Sequence, residues 1–247
     1  MIIDVNTSFG HWPFQKFDVN SVQVMLKRLN SVGITKALIS SIDGILYPDP
    51  SVCDAGLFKM VKPTPMLVPV PTINPCLTNW RKATETSGLK AVKIIPNYHN
   101  YPLTDPAVAQ LMQVLAGKRI PLIIQMRVDD ERNQYPLMKI PGVDWQAVVQ
   151  LANTFRETPI VCLCAYFGEA VELVQKTKNV SVDISFIETF QTLPALLRKI
   201  PPERILFGSH TPFLYTESAV MKLESARLAA KPYKAIASAN ARSLFNI

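Results

Sequence analysis

The stretch that decides the fold runs from Ala91-Val-Lys-Ile-Ile95 through Asp105-Pro-Ala-Val-Ala-Gln-Leu-Met-Gln-Val-Leu-Ala-Gly117 to Leu122-Ile-Ile-Gln-Met-Arg127. The outer two segments are short and rich in β-branched residues, as buried strands are, and the middle one has the apolar spacing of an amphipathic helix. Strands joined by a helix pair in parallel, because antiparallel strands need only a short turn. The stretch therefore predicts one βαβ unit.

The same alternation of short strands and amphipathic segments extends over the whole chain, and it predicts eight strands. The predicted strands are Ile2–Asn6, Lys36–Ser40, Met66–Thr72, Ala91–Ile95, Leu122–Arg127, Ile160–Cys164, Val180–Ile184 and Arg204–Phe207. The predicted helices are Val19–Ser31, Asn79–Ser87, Asp105–Gly117, Asp144–Thr154, Glu169–Lys176, Leu193–Lys199, Thr216–Ala230 and Tyr233–Ser243. The length of 247 residues fits one (β/α)8 barrel, which takes about 250. We therefore expect an α/β fold, a single TIM-barrel domain over residues 1–247.

Composition narrows the classes of partner. The chain has a formal net charge of +7, but Lys and Arg are spread along it without a basic run. This pattern argues against a nucleic-acid partner and is compatible with mild steering of a small anion. No apolar run is long enough to span a bilayer, and the first residues do not form an export signal. We expect a soluble, cytoplasmic protein without a membrane partner.

The four cysteines are too few and too scattered for a disulfide framework. Cys162 and Cys164 form C-x-C inside a predicted strand, where a period of two would point both side chains to one face. Buried thiols of the barrel wall explain this pair better than a metal or redox site does.

Four segments, spread over the chain, carry a family resemblance. They are Ile2-Ile-Asp-Val-Asn-Thr-Ser-Phe-Gly10, Gly88-Leu-Lys-Ala-Val-Lys-Ile-Ile-Pro96, Arg204-Ile-Leu-Phe-Gly-Ser-His-Thr-Pro-Phe213 and Asn240-Ala-Arg-Ser-Leu-Phe245. In this order they resemble the amidohydrolase superfamily, in the branch of enzymes that hydrolyse or decarboxylate small carboxylic acids. The resemblance implies a TIM barrel with its site at the carboxyl ends of the strands.

The residues that hold metal in that family are replaced in this chain. Asn6 and Ser8 stand where the resemblance places paired histidines, Gln125 lies near the position of a third, and Tyr166 lies near that of a fourth. His210 stands in place of the family's catalytic aspartate. Amides and hydroxyls are poor substitutes for imidazole on zinc.

The histidine count supports the same conclusion without the resemblance. The chain has three histidines, and a hydrolytic zinc centre needs about three protein ligands. A mixed site of His210 with Asp4 or Asp183 is the alternative. We expect no metal and no other cofactor.

Any chemistry would then depend on other polar groups at strand ends. His210 is the candidate acid or base, since imidazole titrates near neutral pH, and Lys93 is the second catalytic candidate. The candidate binding residues at the strand ends are Asn6, Ser8, Gln125 and Arg127. Gln125 and Arg127 lie two positions apart on one strand, so we expect their side chains to share a face. The Arg127 guanidinium suits a carboxylate ligand. The alternatives are a structural histidine, an exposed Lys93 and an Arg127 paired with a neighbouring Asp.

The segment from Val128 to Gly142 is long for a loop, and such loops often belong to sites. Its charged start places Asp130 and Arg132 beside the predicted site, although a solvated charged loop gives the same pattern. His99, which lies between two tyrosines in Pro96-Asn-Tyr-His-Asn-Tyr101, and Tyr166 complete the candidate binding residues. For His99, aromatic packing within the loop is the alternative.

Two functional classes follow. The first is a metal-independent hydrolase, or less readily a lyase, that acts on a small carboxylated or aromatic substrate, which would be the protein's partner. The second is a catalytically inactive barrel that binds a metabolite or a protein. By analogy with the family branch, we also expect a homodimer. The two classes differ in whether His210, Arg127, Lys93 and Asn6 surround one cavity.

Overall fold

The computed structural model describes residues 1–132, 134–137 and 139–247. Within them, eight strands occur at the places that the sequence predicts. They are β1 (Ile2–Phe9), β2 (Ile34–Ser41), β3 (Leu67–Pro69), β4 (Val92–Ile94), β5 (Leu122–Gln125), β6 (Ile160–Leu163), β7 (Val180–Asp183) and β8 (Ile205–Leu206). β3 is shorter than predicted, because Pro69 and Pro71 have no N–H to donate to a ladder.

The strands are parallel and follow the order of a (β/α)8 barrel, in two sheets rather than one continuous ladder. One sheet is β1-β2-β3 and the other runs from β4 to β8. Isolated bridges join their edges: Thr72 pairs with Lys93, and Thr7 pairs with Thr211. The Ser8 amide also donates to the Thr211 carbonyl at 2.8 Å. Both seams therefore have backbone hydrogen bonds just outside the strands themselves.

The helices alternate with the strands, as predicted for βα units. They are α1 (Val22–Ser31), α2 (Asp43–Leu46), α3 (Pro50–Val61), α4 (Trp80–Thr84), α5 (Pro106–Lys118), α6 (Trp145–Thr154), α7 (Phe167–Lys176), α8 (Thr192–Leu197), α9 (Thr216–Ser225), α10 (Ala230–Lys234) and α11 (Asn240–Phe245). A 3-10 turn spans Pro202–Arg204, and a π-helical segment spans Ala235–Ala239.

Helix α3 was not among the predicted helices. Its apolar residues show little amphipathic order, and the three residues before Ser51 are Pro-Asp-Pro, which is typical of a turn. The structure shows that the same residues start the helix. Asp49 caps it by accepting a hydrogen bond from the Ser51 amide, and Pro50 occupies its first turn, where a missing N–H costs nothing. The predicted helix Thr216–Ala230 also divides, since α9 ends at Ser225 and α10 starts at Ala230.

Alternation along the strands produces two buried layers. Ile124 of β5 and Cys162 of β6 belong to the larger apolar cluster, which the strands share with the helices. Ile123 and Val161, their neighbours, belong to a smaller cluster together with Phe245 of α11. A period of two thus separates a helix-facing layer from an inner one. No helix of the described residues has the length and apolarity needed to cross a bilayer.

Candidate functional site

Polar side chains are buried at the carboxyl ends of several strands, although burial of a polar group without partners is unfavourable. Asn6 of β1 is 1% exposed, Lys93 of β4 is 4% exposed, and Gln125 of β5 and Asp183 of β7 are fully buried. His210, four residues beyond β8, is 2% exposed. The parallel fold brings these strand ends to one edge of the barrel, where (β/α)8 enzymes form their sites.

The Asn6 side chain lies at the centre of this polar layer. Its amide nitrogen is 2.9 Å from Asp183 Oδ2, 3.2 Å from Cys164 Sγ and 3.2 Å from Ser185 Oγ. Its amide oxygen is 3.3 Å from His210 Nδ1. One amide therefore connects the ends of β1, β6, β7 and β8.

Cys164 is a site residue that the sequence analysis missed. Its thiol lies 3.0 Å from Gln125 Nε2, and its backbone amide donates to Asp183 Oδ1 at 2.8 Å. The expectation that Cys162 and Cys164 share a face is wrong: Cys162 belongs to the helix-facing cluster and Cys164 to the inner one. The alternation ends because Cys164 has a left-handed φ of 60°. Burial raises the pKa of the Cys164 thiol to about 12, so the sulfur stays protonated.

Asp183 is enclosed by the neighbouring strand. A Cβ on Gly208 would lie 2.2 Å from Asp183 Oδ2, so β8 can approach this carboxylate only with glycine at that position. Burial raises the pKa of Asp183, and its hydrogen bonds from Asn6, Ser185 and Cys164 oppose that rise. The Gly-Ser-His segment that carries the family resemblance thus has a packing role here.

The buried His210 ring is fixed by a backbone carbonyl and two phenylalanine rings. Nε2 lies 2.7 Å from the Val128 carbonyl oxygen, which requires Nε2 to carry the proton. Phe213 stacks on the ring at 4.8 Å between centroids, and Phe186 meets it edge-on at 5.4 Å. Burial lowers the pKa of His210 to about 3. The imidazole is therefore neutral, and its unprotonated Nδ1 lies 3.3 Å from Asn6 Oδ1, where neither atom can donate a hydrogen bond.

His210 also has a strained backbone. Its φ is 58°, in the left-handed region that non-glycine residues seldom adopt. Cys164 shares this property, and both residues follow the ends of strands in the polar layer. Strain of this kind concentrates at functional sites.

Lys93 is buried in this layer, so the expected alternative of an exposed lysine is wrong. Its ammonium donates to Ser40 Oγ at 3.1 Å, and Ser40 Oγ is 3.2 Å from Ser8 Oγ. Burial lowers the pKa of Lys93 to about 8, and the nearby acidic groups of Cys164 and Asp183 oppose that change.

The Arg127 guanidinium is already paired with acidic side chains. It meets Glu169 through two hydrogen bonds of 2.6 Å, meets Glu131 at 3.0 Å and lies 3.9 Å from the centre of the Tyr166 ring. Gly142 makes this packing possible, since a Cβ there would lie 2.5 Å from the guanidinium. Gln125 and Arg127 both contact Cys164, the first at its thiol and the second at its carbonyl oxygen, while the ion pairs of Arg127 are with Glu131 and with Glu169 of α7.

A cleft of about 1440 Å³ opens above the polar layer, and we call it the carboxyl-end cleft. Its lining is rich in aromatic side chains, and it also contains acidic groups. The aromatic lining residues are Trp12, Phe14, Tyr98, Tyr135, Tyr166, Phe167, Phe186, His210 and Phe213, and the charged ones are Asp129, Asp130, Glu131, Arg132 and Glu188.

The structure divides the predicted site residues into three groups. His210, Tyr166, Asp130 and Arg132 line the carboxyl-end cleft. His99 does not: its Nε2 is 3.0 Å from the carbonyl oxygen of Gly44, in the short helix α2 that follows β2. Below the cleft lie Asn6, Ser8, Lys93, Gln125 and Arg127. Of the predicted loop Val128–Gly142, residues 133 and 138 lie outside the described residues.

Comparison with known proteins identifies the fold. No family model and no curated protein matches the sequence. Solved structures match over nearly the whole chain. The 5-carboxyvanillate decarboxylase of Sphingomonas paucimobilis has a TM-score of 0.77 and 15% identity, covering 100% of this chain and 99% of its own.

Two further structures show the same likeness. The 5-carboxyvanillate decarboxylase of Novosphingobium aromaticivorans, in complex with manganese and a nitrobenzoic acid, has a TM-score of 0.76 and 13% identity, covering 100% of this chain and 96% of its own. A structural-genomics target named amidohydrolase II has a TM-score of 0.74 and 14% identity and is matched over 100% of both chains. The chain thus has the (β/α)8 fold of amidohydrolase-superfamily proteins.

Manganese in one of these structures raises the question of whether this chain can hold such an ion. Among the described residues, no group of three or more His, Cys, Asp or Glu side chains is placed to share a metal. Where the strand ends converge, the Asn6 amide fills the centre, His210 Nε2 donates to a carbonyl, and the Cys164 thiol is protonated. Metal ligands must be deprotonated and directed at the ion, so these residues do not fit a divalent metal.

Proposed function

We propose that this chain is a ligand-binding (β/α)8 barrel that takes a small aromatic molecule into its carboxyl-end cleft. The observation that carries the proposal is the lining of that cleft, in which eight Phe, Tyr and Trp side chains surround a few charged groups. Apolar and aromatic walls with few polar groups are typical of small-molecule sites. The names of two structural neighbours, which are decarboxylases of an aromatic acid, support a ring-shaped ligand.

The polar layer under the cleft favours binding over turnover. A general base must reach the proton that it removes, but the His210 ring is only 2% exposed, and its one N–H is engaged by the Val128 carbonyl. A nucleophile must be ionised or activated, and the buried Cys164 thiol is not ionised near neutral pH. We therefore assign the layer the role of a rigid floor.

Tryptophan fluorescence tests the proposal. Of the three tryptophans, Trp12 lines the cleft, whereas Trp80 packs in the helix-facing cluster and Trp145 begins α6. Titration with small benzene and indole derivatives should change the emission of the wild-type protein. Trp12→Phe should remove that change, and the matched Trp145→Phe should keep it. An emission change that survives Trp12→Phe and disappears in Trp145→Phe would place the ligand elsewhere.

The cleft lining provides a second, independent variant. Phe213→Leu keeps an apolar side chain but removes the ring that stacks on His210, so aromatic ligands should bind about tenfold more weakly. Phe190→Leu is the matched control, because Phe190 is 87% exposed and lies outside the cleft lining. Equal affinities for both variants would contradict the proposed location.

A metal-independent hydrolase is the second candidate, and the strained backbone of Cys164 and His210 favours it, together with the lowered pKa of Lys93. Perturbed pKa values and strain both concentrate in active sites. In this scheme His210 leaves Val128 and acts as acid or base, and Lys93 stabilises developing negative charge.

Hydrolysis of aryl esters, amides and lactones by chelator-treated protein tests this candidate. Turnover that His210→Gln abolishes, while the fold measured by circular dichroism is kept, would support it. Absence of turnover with every substrate class, in protein that binds aromatic ligands, would reject it.

The homodimer and the cytoplasmic location stay predictions. Analytical ultracentrifugation tests the homodimer.

A further inference from the structure

The charges that line the carboxyl-end cleft are unfavourable for a carboxylate. Four acidic side chains line it, at Asp129, Asp130, Glu131 and Glu188, and Arg132 is the one Lys or Arg among the described lining residues. Arg132 is itself engaged: Nε donates to Asp130 Oδ1 at 2.9 Å, and its terminal nitrogen donates to Oδ2 at 2.6 Å. An incoming carboxylate would meet a guanidinium whose positive charge Asp130 already neutralises.

The other nearby cations are held outside the cleft. Arg127 is fixed by Glu169 and Glu131, and Lys93 is buried in the polar layer, where it donates to Ser40. Lys222 reaches the cleft wall only from behind, where it donates to Glu188 at 2.7 Å. The cations that could attract an anion are therefore either paired or covered.

Asp129 differs from the other acidic residues of the lining. It is half-buried, and it forms no ion pair within the described part of the chain, which includes every Lys, Arg and His. Burial and the neighbouring Asp130 raise its pKa, so a positive charge beside it would be stabilised. Trp12 and Phe213 line the same cleft, and aromatic rings attract organic cations.

Resting on the function proposed above, we propose that the ligand is an aromatic amine, or another aromatic molecule with a cationic group and no carboxylate. Its ring lies among the aromatic side chains around Trp12 and Phe213, and its cation lies at Asp129. The charge of the ligand is thus opposite to that of the aromatic acids named for two structural neighbours. Like-charge contacts would reject such acids here.

Three probes with the same ring and different charge test this assignment: phenethylamine, hydrocinnamate and hydrocinnamyl alcohol. Titration calorimetry at low salt should show phenethylamine binding at least about tenfold more tightly than hydrocinnamate. Added salt should reduce the difference, because the cleft is open to solvent. Asp129→Asn should remove the preference for the amine. Glu203→Gln is the matched control, since Glu203 is exposed and precedes β8, at the other end of the barrel.

The outcomes separate this inference from the function on which it rests. If hydrocinnamate binds as tightly as phenethylamine, or more tightly, the charge assignment is overturned while aromatic binding stands. If Asp129→Asn weakens all three probes equally, Asp129 supports the loop and does not contact the ligand, which also overturns the assignment. If none of the probes binds at concentrations up to about 10 mM, weaker than typical fragment affinities, the proposed function itself fails.

Discussion

Replacement of Asn6 by Asp tests the centre of the polar layer. Asn6 Nδ2 donates to Asp183 Oδ2 at 2.9 Å, and both side chains are buried. Asn6→Asp keeps the shape but puts a carboxylate oxygen where the donor was. Two charges at that separation would repel by about 6 kcal/mol at an effective dielectric constant of about 20. One of the two carboxyls must therefore be protonated in the folded protein.

The loss of stability in Asn6→Asp, and the dependence of that loss on pH, follow from this extra proton. In the variant, the pair of carboxyl groups at positions 6 and 183 has a pKa in the folded protein above its value in the unfolded chain. The stability that the shared proton contributes is therefore fully present at low pH and is lost as the pH rises. We expect a loss of about 4 kcal/mol in the free energy of unfolding at pH 8, from the missing hydrogen bond and the added charge. The loss should shrink by up to about 1.4 kcal/mol per pH unit toward pH 5.

Urea unfolding followed by circular dichroism, from pH 5 to pH 8, measures this difference between variant and wild type. Asn20→Asp is the matched control, because Asn20 is exposed in the loop before α1 and its substitution adds the same charge. The control should change stability little at any pH. A loss for Asn6→Asp that is constant across the pH range would show that no extra proton is bound. The two side chains would then not be neighbours.

Three further predictions concern single groups of the site. Burial raises the pKa of Asp4 from 3.8 to about 7, so its contribution to stability is present at low pH and is lost as the pH rises through about 7; Asp4→Asn should flatten this decline in melting temperatures between pH 4 and pH 8. Burial lowers the pKa of His210 from 6.5 to about 3, so the stability of the folded protein falls as the pH drops from 6.5 toward 3. His210→Gln should make this decrease in stability smaller, and an unchanged decrease would place the titrating group elsewhere. Arg127→Lys should cost about 1–3 kcal/mol in urea unfolding, because one ammonium cannot replace the two-bond pair with Glu169; the exposed control Arg156→Lys should cost less than about 0.5 kcal/mol.

The strands could be predicted from the sequence because their pattern is local. Ala91–Ile95 and Leu122–Arg127 each contain a short run of β-branched residues, and the structure has β4 and β5 within them. Periodicity and turn residues lie within a few positions of one another, so they can be recognised without knowledge of the fold. Proline limited these predictions: β3 is shorter than predicted, and α3, which begins at Pro50, was not predicted.

The site was predicted only in part. Asn6 and His210 were identified from the family resemblance and from their positions at strand ends, and the structure brings them within 3.3 Å of each other. Cys164 was missed as a site residue. For Arg127 the sequence left open whether it binds an anion or pairs with a neighbouring Asp, and the structure pairs it with Glu169. Both outcomes depend on residues just beyond the end of a strand, where loop geometry decides the direction of each side chain.

The sequence by itself determined the order of strands and helices, the (β/α)8 fold and the shortage of histidine for a multi-histidine metal centre. Those properties depend on composition and short-range periodicity. Only the tertiary structure decided that Asn6 bonds to Asp183, 177 residues away, that Glu169 neutralises Arg127, and that aromatic side chains from separate loops share one cleft with Asp129. Such contacts join residues that are distant in the chain, and their geometry is set by the packing of the whole barrel rather than by any local pattern.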